Sequence, residues 1–374
     1  MSLQQRRTLR VLVVVNKGLP QGDYRLAHAR TTRRAEQIVF ALPSRPDRVT
    51  HLRHVQIGFS EGLRASTFAA LLRLLVYLRR HRRQLALVHF YSTVLTLTGP
   101  LVSRLAGVPS IVTITGFGRV YNSTDRRYRL LRPLYNWLAH ASGRTARAVL
   151  FQNHGDLATF RSRHPALVDK CHYVGSGVAA PMRVRQSYDD VPLTVVHVAR
   201  LLPSKGIDDF LAVAARTNRS DVRFRLAGPP ARGAEALLNR VRQAHAEGIA
   251  EYLGELPSSD ARELLEDAHV LLFTSYGEGM ARVMLEAGFA GTCPLAYSIA
   301  ANRDAIGPGR GLLVDVGDID AASLTLERLA ADRQLLAENA RNYQRYVVDA
   351  FGADTFVARL DSLLDRVLAA ESDR

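Results

Sequence analysis

Cysteine is almost absent from this chain of 374 residues, with Cys171 and Cys293 the only two. Two thiols so far apart make neither a disulfide framework nor a thiolate metal site, and a reducing compartment is the simpler expectation. No histidine cluster offers zinc ligands in their place. Long apolar runs are missing too. Basic residues precede Val11 to Val15, but that run is too short for a secretion-signal core and reads as a first strand. Between Arg83 and Arg104 there is no charge, over about the length of a membrane span. His89, Ser92, Thr96, Gly99 and Pro100 fall inside it, so a strand followed by a buried helix is expected instead of a spanning helix. Biased tracts are absent, and 47% apolar against 23% charged residues excludes disorder as a description of the whole.

Lysine is scarce, with only Lys17, Lys170 and Lys205, and acid is scarce in one half. From Met1 to Ala180 there are 28 Lys plus Arg against 7 Asp plus Glu, or +21; the remainder has 22 against 28, or −6. Arginine-rich composition explains the net +15 but not this asymmetry. A basic half of this strength suggests a polyanion as partner, either nucleic acid or an anionic membrane surface.

The length suits two domains, and the pattern of elements agrees. RVLVVVN, QIVFALP, LALVHFYS, PSIVTIT and AVLFQN read as buried parallel strands, with helical stretches between them. One of those stretches is a helix expected from Tyr24 to Ala35. Another, TFAALLRLLVYLRRHRR, reads as an amphipathic helix with Phe68, Leu71, Leu72, Leu75 and Leu78 on its apolar face and Arg79, Arg80, Arg82 and Arg83 at its end. Such a helix suits a membrane surface, although cations in a last turn also suit the helix dipole. Gly175 to Pro192 has no periodicity and reads as a linker. Then LTVVHVAR, FRLAG, EYLGEL and VLLFTS alternate with helices again, and a helical segment from Leu324 to the end breaks near Phe351–Gly352. The fold class is therefore α/β, with two doubly wound parallel sheets. Domains are expected at 1–178 and 190–345, with 346–374 a helix returning to the first domain.

Ligands of open parallel sheets bind beyond the carboxyl ends of the strands, in strand-to-helix turns. Three turns stand out. VNKGLPQGD places Gly18 after the first strand but lacks GxGxxG, which disfavours a nicotinamide site and leaves a plain tight turn as an alternative. VARLLPSKGID places Arg200 and Lys205 at the end of one strand, either as surface cations or as a clasp for a diphosphate. SYGEGMARVMLEAG puts glycines around Glu278 and then an apolar run, with Met280 to Phe289 expected as helix and Gly291 as its stop. With helical rise throughout, Glu278 and Glu286 would stand about 12 Å apart, roughly the reach from a ribose to the sugar beyond its diphosphate. The alternative is an exposed acid plus an Arg282–Glu286 pair one turn apart.

The order VARLLPSKGID, FRLAGPP, EYLGEL, FTSYGEGMARVMLEAGFAG and GLLVDVGD resembles the nucleotide-binding half of family 4 retaining glycosyltransferases, whose signature is E-x7-E. VLVVVN, IVTITGFGRVYNS, VLFQNHGD and YVGSGV resemble, more diffusely, a bacterial subset acting on lipid-diphosphate-linked glycans. The resemblance implies the GT-B fold, two Rossmann-like domains facing a central cleft, with an acceptor-binding first domain and a nucleotide-sugar-binding second. It implies that Arg200 and Lys205 neutralise the donor diphosphate, that Glu278 contacts the transferred sugar and that Glu286 holds the ribose. Gly18, Gly228, Gly279, Met280, Ala281, Arg282 and Val283 would complete the donor site. Thr115, Gly116 and Arg119 are acceptor-side candidates, Thr115–Gly116 standing where many members have a histidine.

The implied reaction retains anomeric configuration and transfers a hexose or N-acetylhexosamine, most readily from a UDP-sugar, to a lipid-linked acceptor. A GDP-sugar mannosyltransferase or a soluble acceptor is the alternative. No cofactor or metal is implied beyond the nucleotide sugar as co-substrate, and Asp318 to Asp320 read as a helix cap in place of a metal-binding DxD. The expected setting is cytoplasmic, peripheral to the inner membrane face, with no nucleic-acid partner.

Overall fold

A computed structural model describes residues 10–15, 25, 28, 32, 38–42, 54–57, 65–117, 126–178, 182–217 and 219–372. The chain divides into two compact units, Met1–Ala179 with Ala353–Arg374, and Ala180–Gly352.

In the first unit the described elements are β1 (Arg10–Val14), β2 (Ile38–Leu42), β3 (His54–Gln56), α1 (Ala65–His81), β4 (Leu85–Tyr91), α2 (Thr93–Ala106), β5 (Ser110–Ile114), α3 (Arg126–Thr145), β6 (Ala148–Phe151), α4 (His154–Arg163) and β7 (Cys171–Tyr173). The strands form one parallel sheet in the order β3-β2-β1-β4-β5-β6-β7. Its central strands are apolar without alternation because both faces are covered. Leu12, Val14, Val88 and Phe90 meet α1, α2 and α3 on one side, while Val11, Val13 and Leu87 face the other. The uncharged stretch from Arg83 to Arg104 is strand β4 and helix α2, with Leu95, Gly99, Pro100 and Ser103 buried. The helix expected from Tyr24 to Ala35 lies largely outside the described residues.

Helix α1 faces differently from the sequence expectation. Thr67, Ala70, Leu74 and Leu78 form its buried side, and Phe68 and Leu72 are exposed. The helix is apolar over most of its circumference, so periodicity alone does not say which arc meets the sheet.

The second unit comprises β8 (Leu193–Val198), α5 (Ile207–Arg216), β9 (Val222–Ala227), α6 (Glu235–Ala246), β10 (Glu251–Tyr252), α7 (Ser258–Glu266), β11 (Val270–Phe273), α8 (Arg282–Ala290), β12 (Cys293–Tyr297), α9 (Ala300–Ile306), β13 (Leu312–Val314), α10 (Ile319–Ala331) and α11 (Arg333–Phe351). Its parallel sheet runs β10-β9-β8-β11-β12-β13. The strand order reverses between β8 and β11, which pair through Val195 with Val270 and Val196 with Leu271. The Asp318 side chain caps α10, accepting from the Ala321 amide at 2.9 Å, and Asp320 pairs with Arg216 at 2.8 Å.

Two boundaries move from their expected places. Much of the expected linker is docked on the second unit: the Arg185 amide donates to Ala290 O at 2.9 Å, and the buried Tyr188 hydroxyl donates to Gly291 O. At the other end α11 runs unbroken to Phe351, and α12 (Ala353–Ser372) belongs to the first unit, where Phe356, Leu360 and Leu364 cover Val11, Val13 and Leu87.

Candidate active site

The switch point between β8 and β11 sets the site, because two strand-to-helix loops leave neighbouring strands side by side there. The first loop runs from Ala199 through a short 3₁₀ turn, Pro203–Lys205, to Gly206 and α5. The second runs from Thr274 to Ala281 and α8. Backbone and hydroxyl groups lock them together. The Tyr276 amide donates to Ser204 O at 3.0 Å, Ser275 Oγ to Ser204 O at 3.2 Å and Thr274 Oγ1 to Gly206 O at 2.8 Å. Gly206 sits at φ +64°, and a Cβ there would lie 2.0 Å from Thr274 O, so only glycine allows this approach.

Gly228 permits a similar close approach on the neighbouring strand. At φ +146° it brings the loop after β9 so close that a Cβ would stand 1.8 Å from Ala199 O. Its amide donates to Gly254 O at 2.7 Å, and its carbonyl accepts from the Tyr252 hydroxyl at 2.9 Å. Its visible work is to shape the loop that carries Arg200.

At the mouth of these loops Lys205 Nζ forms an ion pair with Glu278 Oε1, and Ser275 Oγ donates to the same oxygen at 2.7 Å. Both charged side chains are mostly buried, 21% exposed for Lys205 and 12% for Glu278. Arg200 is exposed and forms no hydrogen bond or ion pair among the described residues.

The helix after Glu278 begins later than expected, at Arg282, with Ala281 as its N-cap and Gly291 at φ 79° closing it. Residues 278 to 281 are loop, so uniform helical rise does not connect Glu278 to Glu286. Met280 and Ala281 are buried, and Ala281, at the N-cap of α8, has no side chain that caps the first turn. On α8, Arg282 donates to Glu286 Oε1 at 3.0 Å, so the pair one turn apart is formed. Burial raises the Glu286 pKa above its ordinary value of 4.5, against the lowering effect of Arg282 and Arg262.

Three further residues of this region carry no assignment from sequence. Ser275 is fully buried and holds Glu278 in place. Asp209 accepts from the Tyr276 hydroxyl at 2.7 Å and from the Tyr297 hydroxyl, tying α5 to the second loop and to β12; burial and this acid push the Tyr276 phenol up to about 12. His197 is buried on β8 with Nδ1 2.8 Å from Leu272 O, and burial, with Lys205 nearby, pushes it down to about 4. The signal for Asp209 was hidden because an acid in a first helical turn is explained by the helix dipole alone.

In the first unit, Thr115 is exposed just after β5, and Gly116 follows at φ 133°. Gly18 and Arg119 lie outside the described residues.

In the second unit, then, a cation and a carboxylate pair at the carboxyl ends of the two strands flanking the switch point, and the helix that begins there carries a second, partly buried carboxylate, Glu286. That set can hold a phosphate and accept hydroxyls at once. Residues 182–365 match the family model described as Glycosyl transferases group 1. No curated protein matches the chain in sequence. Among solved structures, Anabaena Alr3699/HepE in complex with UDP-glucose is 17% identical, with 96% of this chain and 100% of that chain covered and a TM-score of 0.76. Sucrose-phosphate synthase from Thermosynechococcus elongatus is 18% identical over 97% of this chain and 100% of that one, at TM-score 0.80. The lipopolysaccharide outer core galactosyltransferase WaaB in its apo form is 14% identical over 96% and 99%, at 0.67. The chain therefore has the GT-B fold, with residues 182–365 matching the model of the Glycosyl transferases group 1 family.

Proposed function

We propose that the protein is a retaining glycosyltransferase that moves a hexose or N-acetylhexosamine from a UDP-sugar to a lipid-diphosphate-linked glycan at the inner face of a bacterial membrane. The observation that carries the reading is the Lys205–Glu278 pair at the β8/β11 switch point. In a nucleotide sugar the diphosphate and the transferred sugar share one bond, so a cation for the first and a carboxylate for the second must be neighbours. Support for the base and the acceptor comes from the neighbours' own descriptions, one in complex with UDP-glucose and one an outer core galactosyltransferase.

In this reading the bond from the anomeric carbon to the diphosphate breaks, and the acceptor oxygen attaches from the same face. The acceptor proton passes to the departing phosphate oxygen. Negative charge grows on that leaving group, so Lys205, Arg200 and the amides of Arg282 and Val283 stabilise the transition state more than the ground state. Glu278 accepts hydroxyls of the sugar, and Glu286 those of the ribose. Residues Gly279, Met280 and Ala281 line the sugar, and Thr115, Gly116 and Arg119 belong to the acceptor side. The reaction needs no metal or cofactor in this scheme, because fixed cations and amides meet the charge.

A thermal-shift and hydrolysis screen of UDP- and GDP-sugars, repeated with a polyprenyl-diphosphate-sugar acceptor, tests this. UDP-sugars are expected to raise the melting temperature, and transfer is expected only with the lipid acceptor. Stabilisation by GDP-mannose alone would select a mannosyltransferase. Transfer to a soluble acceptor would select the second reading.

Glu286 gives a separate prediction. Because its folded pKa is raised, its contribution to stability is present below pH 4.5 and is lost as pH rises through the folded value. At neutral pH the ionised group therefore costs stability. Glu286→Gln is expected to stabilise the fold at neutral pH by up to about 1 kcal/mol while weakening UDP-sugar binding by roughly tenfold or more. Melting curves at acid and neutral pH, with a donor titration, check both halves. Equal destabilisation at both pH values would mean the Arg282 ion pair outweighs burial.

A further inference from the structure

Three of the helices that cover one face of the first sheet, α1, α2 and α3, contain no acid. None of the 17 residues of α1, the 14 of α2 or the 20 of α3 is Asp or Glu. Their inner sides meet the sheet through Ala70, Leu74, Leu95 and Tyr135. On the outer sides, where a helix of a soluble domain carries polar residues, stand Phe68, Leu72 and Val76 of α1 and Leu130, Leu134 and Trp137 of α3. These six are between 54% and 81% exposed. Each set recurs at intervals of three or four residues and so makes one stripe. Helix α2 lies between α1 and α3 and packs on both. A groove of about 540 Å³ opens on α1 among Leu72, Val76, Tyr77 and Arg80.

Single exposed apolar side chains are ordinary, but six on two helices of one layer mark an interaction surface. The charge around them says what kind. Arg73, Arg79 and Arg80 of α1 and Arg126 and Arg129 of α3 are exposed on the same two helices. Nucleic acid would satisfy the arginines and leave the leucines and the tryptophan in water. A bilayer with anionic headgroups presents phosphate and hydrocarbon at adjacent depths, which matches arginines beside large apolar side chains. Among the described residues no helix is long and apolar enough to cross a membrane, so contact is along the surface.

We propose that the outer faces of α1 and α3 form a docking surface for an anionic lipid bilayer, with Phe68, Leu72 and Trp137 entering the headgroup boundary and the arginines meeting lipid phosphates. The cluster from Arg79 to Arg83 then lies at one edge of this surface. This deepens the membrane aspect of the function proposed above and needs none of its chemistry, so docking and sugar transfer are measured separately.

Trp137 is the only tryptophan in the chain, so its emission reports on this surface directly. The full-length protein is titrated with vesicles of phosphatidylcholine containing a minority of phosphatidylglycerol, and sedimentation is measured alongside. The emission is expected to shift to the blue and to be quenched by brominated acyl chains. Binding to pure phosphatidylcholine should be at least about tenfold weaker. The double variant Phe68→Gln with Leu72→Gln, both exposed and so foldable, should lose about tenfold or more in partitioning with an unchanged melting curve. Unchanged Trp137 emission on vesicle binding, wild-type partitioning of the double variant, or a lipid-independent dimer that buries Trp137 would each overturn the proposal. Docking without any sugar transfer would leave this surface standing and remove only the assigned chemistry.

Discussion

Lys205→Met is expected to slow sugar transfer by roughly 10²–10³-fold while leaving a folded protein. Methionine keeps the apolar stem of lysine and removes only the charge. The loss should fall mainly on kcat, because the negative charge that Lys205 meets grows as the diphosphate departs. The cost to the fold is expected to be moderate, because Glu278, 12% exposed, loses its cation but keeps the Ser275 hydroxyl at 2.7 Å. A fall of a few degrees in melting temperature is the corresponding expectation. Lys205→Arg makes a useful companion variant, since it restores charge with a different reach and should recover only a fraction of the rate. Near-wild-type transfer by the methionine variant, measured under single-turnover conditions, would remove Lys205 from the leaving-group site.

Gly206→Ala is expected to be among the most destabilising single changes in the second unit, at about 3 kcal/mol or more, or to prevent its folding. The residue combines two constraints. Its φ of +64° is left-handed, and a methyl group there would lie 2.0 Å from the Thr274 carbonyl oxygen. That neighbour is backbone, and it is pinned by the bonds from Tyr276 to Ser204 and from Thr274 to Gly206. No flexible side chain is available to move aside. Gly233 separates the two constraints, since it has φ +80° with nothing within 4 Å of an added Cβ. Gly233→Ala should therefore show only the left-handed penalty, roughly 1–2 kcal/mol. Urea unfolding of both variants compares them directly. If Gly206→Ala were no worse than Gly233→Ala, the two loops would not be in the close contact that shapes the site.

Much of the fold was legible because it is written in local patterns. Continuous apolar runs such as Val11 to Val15 and Val270 to Phe273 have one reading, a strand covered on both faces. The unforeseen strands lack that pattern. β3 and β7 are three-residue edge strands, β12 contains Pro294, and β13 is three residues between glycine-rich loop and polar turn. They exist because a neighbouring strand offers its free edge, which no local window contains. The second domain ends later than the expected 345 for a related reason: α11 continues smoothly to Phe351, and the unit changes only at Gly352.

The sequence by itself determined the class of fold, the two-domain plan, the polarity of the two halves and the three loops worth attention. Strand periodicity, glycine punctuation and charge are properties of residues near one another in the chain. Which residues share a site was decided only in three dimensions. Lys205 and Glu278 are 73 positions apart and meet because β8 lies beside β11 at the point where the strand order reverses. Asp209 joined the site through Tyr276 and Tyr297, partners that come from other elements. The same holds for the surface of the first unit. α1 is apolar over most of its circumference, and only the sheet it covers selects Leu74 for the core and leaves Phe68 and Leu72 facing out.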